Sequence, residues 1–241
     1  MERGDVGGLA AVDVNPEHPA LVKVAYGLAI LTVGVEAPAA RRLAAARLVS
    51  LVFGVVLVAF VCRRDLLAGA LLALHSLQAK YSAEACLESL PALAVAVCLL
   101  WGWESLSSRR HRVGVAVFLG IAAAGKLLVV LPALILLPVL GWRWRGRGGP
   151  GAFESFGLAT LAVGTFWLLN PLLWGDPAWI QNSFFFHADY GSSLVAEGLS
   201  RPWWSPFSTL SVASAAGWHP GVFPIPSDAV VFWGGMGGLL V

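Results

Sequence analysis

Residues 43 to 62 read Leu43-Ala-Ala-Ala-Arg47-Leu-Val-Ser50-Leu-Val-Phe-Gly54-Val-Val-Leu-Val-Ala-Phe60-Val-Cys62 and stop at Arg63-Arg64-Asp65. At 1.5 Å of helical rise per residue, about 20 residues reach across a hydrocarbon core of roughly 30 Å. The stretch therefore predicts a membrane-spanning helix, which in lipid satisfies its own backbone N–H and C=O groups. Composition points the same way. The 241 residues are 58% hydrophobic and 12% charged, with a mean hydropathy of +0.75, against about 45–50% and 25% in soluble domains. One large soluble core is excluded, and the fold class expected is all-α, a polytopic transmembrane helical bundle.

Working outward, Leu66 to Leu77 is a shorter apolar run that meets the polar stretch Gln78-Ala-Lys80-Tyr-Ser82. Ala83 to Trp103 is apolar again except for Glu84 and Glu88, so 66–103 reads as a helical hairpin with a polar tip. Val113 to Leu140 is long enough for one helix or two short ones, with Gly125-Lys126 near its middle. Phe156 to Trp174 is a further span. This divides the chain into a transmembrane module over 1–174, an aromatic-rich loop over 175–228 and the start of a truncated helix over 229–241. No secretory leader is expected, since residues 1–18 lack a basic-then-apolar pattern. Cys62, Cys86 and Cys98 have no redox or metal-ligand spacing and read as small core residues.

Arg63 and Arg64, Arg109 to Arg112, and Arg143 to Arg147 share the cytoplasmic side if Val113–Leu140 splits at Gly125. Residues 1–20, the tip near Lys80, the break at Lys126 and the 175–228 loop then all face the opposite, extracytoplasmic side. The basic clusters are short and explained by orientation, so nucleic acid is not an expected partner; membrane lipids are.

Ionisable groups at a membrane are costly and mark candidate sites. Asn15-Pro-Glu17-His18-Pro-Ala-Leu-Val-Lys23 sets Glu17 and His18 between prolines, a stiff extended lead into a helix at Ala20. Lys80, Glu84 and Glu88 are spaced by four, as if on one helix face; they either anchor the hairpin or bind substrate. Lys126 either snorkels or offers a cation to a phosphate, and its grouping with Lys80 and Lys23 favours the phosphate. Trp174-Gly-Asp-Pro177, Phe184-Phe-Phe-His187-Ala-Asp189 and Arg201-Pro-Trp-Trp-Ser-Pro206 are either an interfacial anchoring belt or the wall of a sugar or headgroup pocket.

His18-Pro19-Ala20-Leu21-Val22-Lys23 resembles the His-Pro-Pro-Leu-x-Lys motif of lipid-phosphate-sugar-dependent membrane glycosyltransferases, the group of the protein O-mannosyltransferases and aminoarabinose transferases, with Ala20 at the second proline. Arg47 and the Gly54-containing span are similar to the next helix of that family. Lys80 with Glu84 resembles its basic-then-acidic tip, Gly120 to Lys126 a Gly-x-x-x-x-Gly-Lys turn, and Trp174 to Pro177 with His187 its later loop. The resemblance implies a GT-C-like fold and transfer of a sugar from a polyprenyl-phosphate carrier to a protein or lipid acceptor at the outer face, with inversion. A carboxylate deprotonates the acceptor while cations stabilise the departing phosphate.

In that family the catalytic acid lies in the first extracytoplasmic loop, after a first spanning helix and well before the His-Pro motif, whereas here Asp13 and Glu17 are the nearby carboxylates. The expected catalytic set is therefore Glu17, His18 and Asp13, and the expected substrate-binding set Lys23, Lys80, Glu84, Lys126 and His187. The departure implies a piece of a larger enzyme, whose activity alone is then in question. A divalent cation is the one cofactor left open. The rival readings are a transporter or flippase for a lipid-linked or anionic substrate, and a non-catalytic assembly subunit.

Overall fold

The computed structural model describes residues 18–104, 108–127 and 150–196. Every regular element among them is a helix: α1 (Leu21–Val33), α2 (Ala39–Cys62), α3 (Leu66–Leu74), α4 (Ser76–Ala83), α5 (Ser89–Glu104), α6 (Arg109–Gly125), α7 (Ala152–Leu168), α8 (Leu172–Gly175) and α9 (Trp179–Ala196). Among the described residues, α2 alone is both long and apolar enough to cross a membrane; α1, α7 and most of α5 are apolar but shorter. Leu48, Leu51, Val52, Val55 and Val56 of α2 are exposed.

Local chemistry sets the boundaries. Pro38 precedes α2 and its carbonyl accepts from Arg41 and Arg42, a position where a missing N–H costs nothing. Gly34 closes α1 at φ +91°, a conformation that disfavours any residue with a Cβ. Asp65 caps α3, its Oδ1 accepting from the Ala68 N–H at 2.9 Å.

Two prolines correct the expected spans. The run from Ala83 to Trp103 is not one helix: α4 ends at Ala83, Glu84 is an extended cap at φ −103°, ψ 154°, and α5 begins at Ser89. Pro91 explains the break, because a helix continuous through it would drive its ring into the Leu87 carbonyl; restarting at Ser89 places it harmlessly in the first turn. Ser89 Oγ donates to the Tyr81 carbonyl at 2.7 Å, fastening the turn. Glu84 and Glu88 therefore do not share a helix face, and the stretch from Gln78 to Ser82 is helical rather than a tip. Likewise the span expected to reach Trp174 stops at Leu168, because Pro171 turns Asn170 out of helical geometry. Leu66–Leu77 is broken at His75, which is extended at ψ 122°.

The chain divides into two compact units, Met1–Ala46 with Leu90–Ala188, and Arg47–Ser89 with Asp189–Val241. In the first, α5 and α6 run antiparallel. Trp101 lies beside His111 with ring centroids 5.8 Å apart and edge-on to Phe118 at 5.5 Å, Cys98 Sγ donates to the Val115 carbonyl at 3.3 Å, and Pro91 meets Gly125.

Helices α6 and α7 run parallel. Arg112 pairs with Glu154 at 2.8 Å, and further along both helices Gly120 backs onto the Ala162 carbonyl and Thr165. Buried Ala122, Ala123 and Ala124 of α6 join Ala20, Ala94, Phe166, Leu172, Leu173 and Trp179 in one core cluster. Small residues of this kind let helix backbones approach closely.

In the second unit α2 runs antiparallel to the α3–α4 pair. Gly69 meets Cys62, and Gly54 meets Ser82 and Gln78. Gln78 Nε2 donates to Ser82 Oγ at 3.0 Å.

Candidate functional site

Because α6 and α7 are parallel and α5 is antiparallel to them, the first unit has two chemically distinct ends. Arg109, Arg110, Arg112 and Glu154 lie at one. At the other, the end of α6 meets Pro91, the start of α1 and the Asn170-Pro171 bend. The motif spanning His18 to Lys23 is built into this second end. Pro19, Val22, Pro91 and Asn170 are among the most deeply buried side chains in the protein.

Ala20, which stands where the resembled motif carries its second proline, makes a hydrogen bond that a proline could not. Unlike proline, Ala20 carries an N–H, and it is buried. Asn170 Oδ1 accepts that N–H at 3.1 Å across 150 residues of sequence. A buried donor left without an acceptor costs about 1–3 kcal/mol, so Asn170 makes the alanine tolerable. Asn170 bears no charge, and its signal in the sequence is the Asn-Pro pair at the end of an apolar run.

Lys23, half-buried in the first turn of α1, turns back so that its Nζ donates to the His18 carbonyl at 2.9 Å. Lys126 follows α6 directly in extended conformation at φ −158°, ψ 111°. A Cβ on Gly125 would meet Val22 Cγ2 at 3.5 Å and Pro91 Cγ at 2.6 Å, so α1 and α6 touch one residue away from both lysines. The structure thus brings His18, Lys23 and Lys126 to one end of the first unit. The Gly120-to-Lys126 segment is not a turn, however: Gly120 to Gly125 are helical, with both glycines serving close contacts. The helix does end at Gly125, as the split of the long apolar run required.

Asp13 and Glu17 lie outside the described residues. Lys80 and Glu84 belong to the second unit. Lys80 Nζ sits 5.4 Å from the Tyr81 ring centroid, and Cys86 Sγ donates to Glu84 Oε2 at 3.5 Å. Burial pushes the Cys86 thiol up to about 11, and the neighbouring Glu88 and Glu84 carboxylates push in the same direction.

The region from residue 175 onward begins with a helix rather than a loop, and His187 lies within α9; residues 197–241 lie outside the described ones. The Asp176-Pro177 pair starts this helix: Asp176 Oδ1 accepts from the Ala178 N–H at 2.9 Å and its carbonyl from the Trp179 N–H at 3.0 Å. That is a helix-initiating cap followed by proline, a readable signal hidden among aromatic residues. Trp174 Nε1 donates to the Trp167 carbonyl at 3.0 Å, and the two exposed indoles sit 6.1 Å apart at the His18 end.

Among the described residues, no three His, Cys, Asp or Glu side chains converge to hold a metal ion. No family model, curated protein or solved structure matches this chain.

Proposed function

We propose that the chain acts in a membrane as a glycosyltransferase that moves a sugar from a polyprenyl-phosphate carrier to a protein or lipid acceptor at the extracytoplasmic face. The observation that carries this reading is the burial of the His18–Lys23 segment against the helix ends that bear Lys126 and Asn170, at the end of the α6–α7 pair away from Arg109, Arg110 and Arg112. Arginines at one end and exposed Trp167 and Trp174 at the other suit a unit set across a bilayer. On this reading α5, α6 and α7 are spans alongside α2. Each is about 25 Å long at helical rise, and α7 exposes Phe153, Phe156, Val163 and Leu168 to lipid.

Lys23 and Lys126 stabilise the charge that grows on the departing phosphate. Glu17 or Asp13 accepts the acceptor's proton. Sugar release from a lipid-phosphate donor by the full chain in proteoliposomes tests this. Lys23→Ala and Lys126→Ala are expected to lower turnover by about 10²–10³-fold, the usual loss for a removed charge stabiliser. Turnover equal to wild type in both would remove the phosphate role. Passage of the lipid donor across the vesicle wall without covalent product would point to a carrier instead.

A further inference from the structure

The amide of Asn170 is half used. Its Oδ1 is committed to the Ala20 N–H at 3.1 Å, which fixes the amide's orientation and leaves the NH₂ as the remaining group. Asn170 is 0% exposed, and among the described residues its Nδ2 has no hydrogen-bond partner. A buried amide donor without an acceptor is rare in native folds and destabilising.

The surroundings define the missing partner. The residue that Asn170 grips is the N-cap of α1; no side chain caps that helix and its first turn contains no acidic residue. Instead the first turn carries the Lys23 ammonium. An uncapped helix start presents N–H groups and a partial positive charge of about +0.5. Backbone N–H groups, an ammonium and the Asn170 NH₂ are all donors, so the complementary group is an oxyanion.

We propose that Asn170 is a ligand-binding residue at the head of α1, its Nδ2 donating to a phosphoryl oxygen of the carrier lipid. This rests on the glycosyltransferase reading above and adds to it a residue that bears no charge. Asn170 does two jobs with one amide: Oδ1 holds the His18–Lys23 segment in place and Nδ2 binds what that segment receives. Since Nδ2 has no accessible surface, the oxyanion has to come in between the α1 start and the Asn170 bend. A headgroup on an anchored chain meets that demand better than a freely hydrated ion.

The probe is farnesyl phosphate, added to the full chain in detergent and compared with farnesol and with inorganic phosphate, binding being read from the shift in thermal unfolding. Wild type is expected to be stabilised by farnesyl phosphate, less by inorganic phosphate and not by farnesol. Equal stabilisation by both phosphates would assign the site to free phosphate and overturn the lipid-headgroup part. Asn170→Asp keeps the acceptor for Ala20 and removes the NH₂. At pH 8 the variant's Kd for farnesyl phosphate should rise about 10- to 100-fold, the worth of a hydrogen bond to a charged group. Lowering the pH towards 5 should recover part of the loss as the buried carboxyl regains an O–H. An unfolding temperature that changes while the Kd does not, at either pH, would overturn the proposal and leave the carrier-phosphate reading standing. Absence of any phosphate-dependent shift in wild type would remove both.

A second measurement needs no folded Asn170 variant. The chain has three asparagines, Asn15, Asn170 and Asn182, so ¹⁵N-asparagine labelling gives three side-chain NH₂ signals, assigned by substituting the other two. The Asn170 pair is expected to move on adding farnesyl phosphate, and a stationary pair overturns the assignment.

Discussion

Replacing Ala20 with proline restores the residue that the His-Pro-Pro-Leu-x-Lys pattern carries, yet the structure predicts that this change alone destabilises the protein. The φ of Ala20, −85°, is at the edge of proline's range, so the backbone is only mildly opposed. The damage comes from the side-chain partner. With the N–H gone, Asn170 Oδ1 becomes a second unsatisfied buried atom beside Nδ2, and the ring Cδ occupies the space of the hydrogen in a 3.1 Å contact. An expected cost of about 1–3 kcal/mol follows. Asn170→Ala should cost less, since it strands the buried Ala20 N–H but also removes the orphaned Nδ2. The double variant removes both polar partners, vacates space for the ring, and leaves neither group orphaned. Removing both partners of a buried bond is far less harmful than removing one.

The two changes should therefore fall short of additivity by about 1–3 kcal/mol, where independent sites add to within about 0.3–0.5 kcal/mol. For a chain of this size each kcal/mol moves the midpoint by about 2–4 °C. Thermal unfolding of wild type, both single variants and the double variant in one detergent, without ligand, measures the coupling. A double variant whose loss equals the sum of the single losses would refute the latch.

Three further outcomes are expected. Gly120→Ala should destabilise by about 1–3 kcal/mol, because the new Cβ would lie 2.5 Å from the Ala162 carbonyl and 2.6 Å from Thr165 Cβ; Gly157→Ala, which meets nothing within 4 Å, should be neutral or stabilising by up to about 1 kcal/mol, and similar unfolding midpoints for the two would contradict the close α6–α7 packing. Alkylation of Cys86 should be slow at pH 8 and rise until about pH 11, since its thiolate fraction there is about a hundredth of that of a thiol at the ordinary value of 9.0; the sign for stability is loss as pH climbs from 9 through 11, because the folded state holds the proton longer, and a rate that levels off near pH 9 would contradict the raised value. In a cysteine-free background, Arg110→Cys and Ala178→Cys should react with a membrane-impermeant maleimide from opposite sides of a vesicle; labelling from the same side would remove the transmembrane reading of the first unit.

The parts of this structure legible in the sequence are those where one local signal dominates. The run from Leu43 to Cys62 had no competing feature and forms α2 with four more residues at its start. The helix after Ala20 and the stop at Gly125-Lys126 were also visible, the first from ring-locked residues and the second from a glycine beside a charge. Reading apolar runs without weighing prolines missed Pro91 and Pro171, and so began the α5 span at Ala83 rather than Ser89 and fused α7 with α8. Counting Glu84 and Glu88 as one face followed from the same error. Asp176-Pro177 was read as part of a loop because its aromatic neighbours drew attention away from its capping geometry. Asn170 was not legible at all as a site residue, because its role depends on a partner 150 positions away that is notable only for lacking a ring.

The sidedness of the first unit follows from packing without appeal to where arginines prefer to lie. The Arg112–Glu154 pair and the Gly120 contact fix the direction at two points along the helices, and sliding one helix cannot reverse it. Lys126 and Asn170 therefore share an end whatever path the connection takes, and Arg109, Arg110 and Arg112 take the other. The charge distribution predicts the same separation of Arg109, Arg110 and Arg112 from His18, Lys23 and Lys126. The separation rests on the α6–α7 packing alone, and the maleimide labelling reads which compartment each end faces.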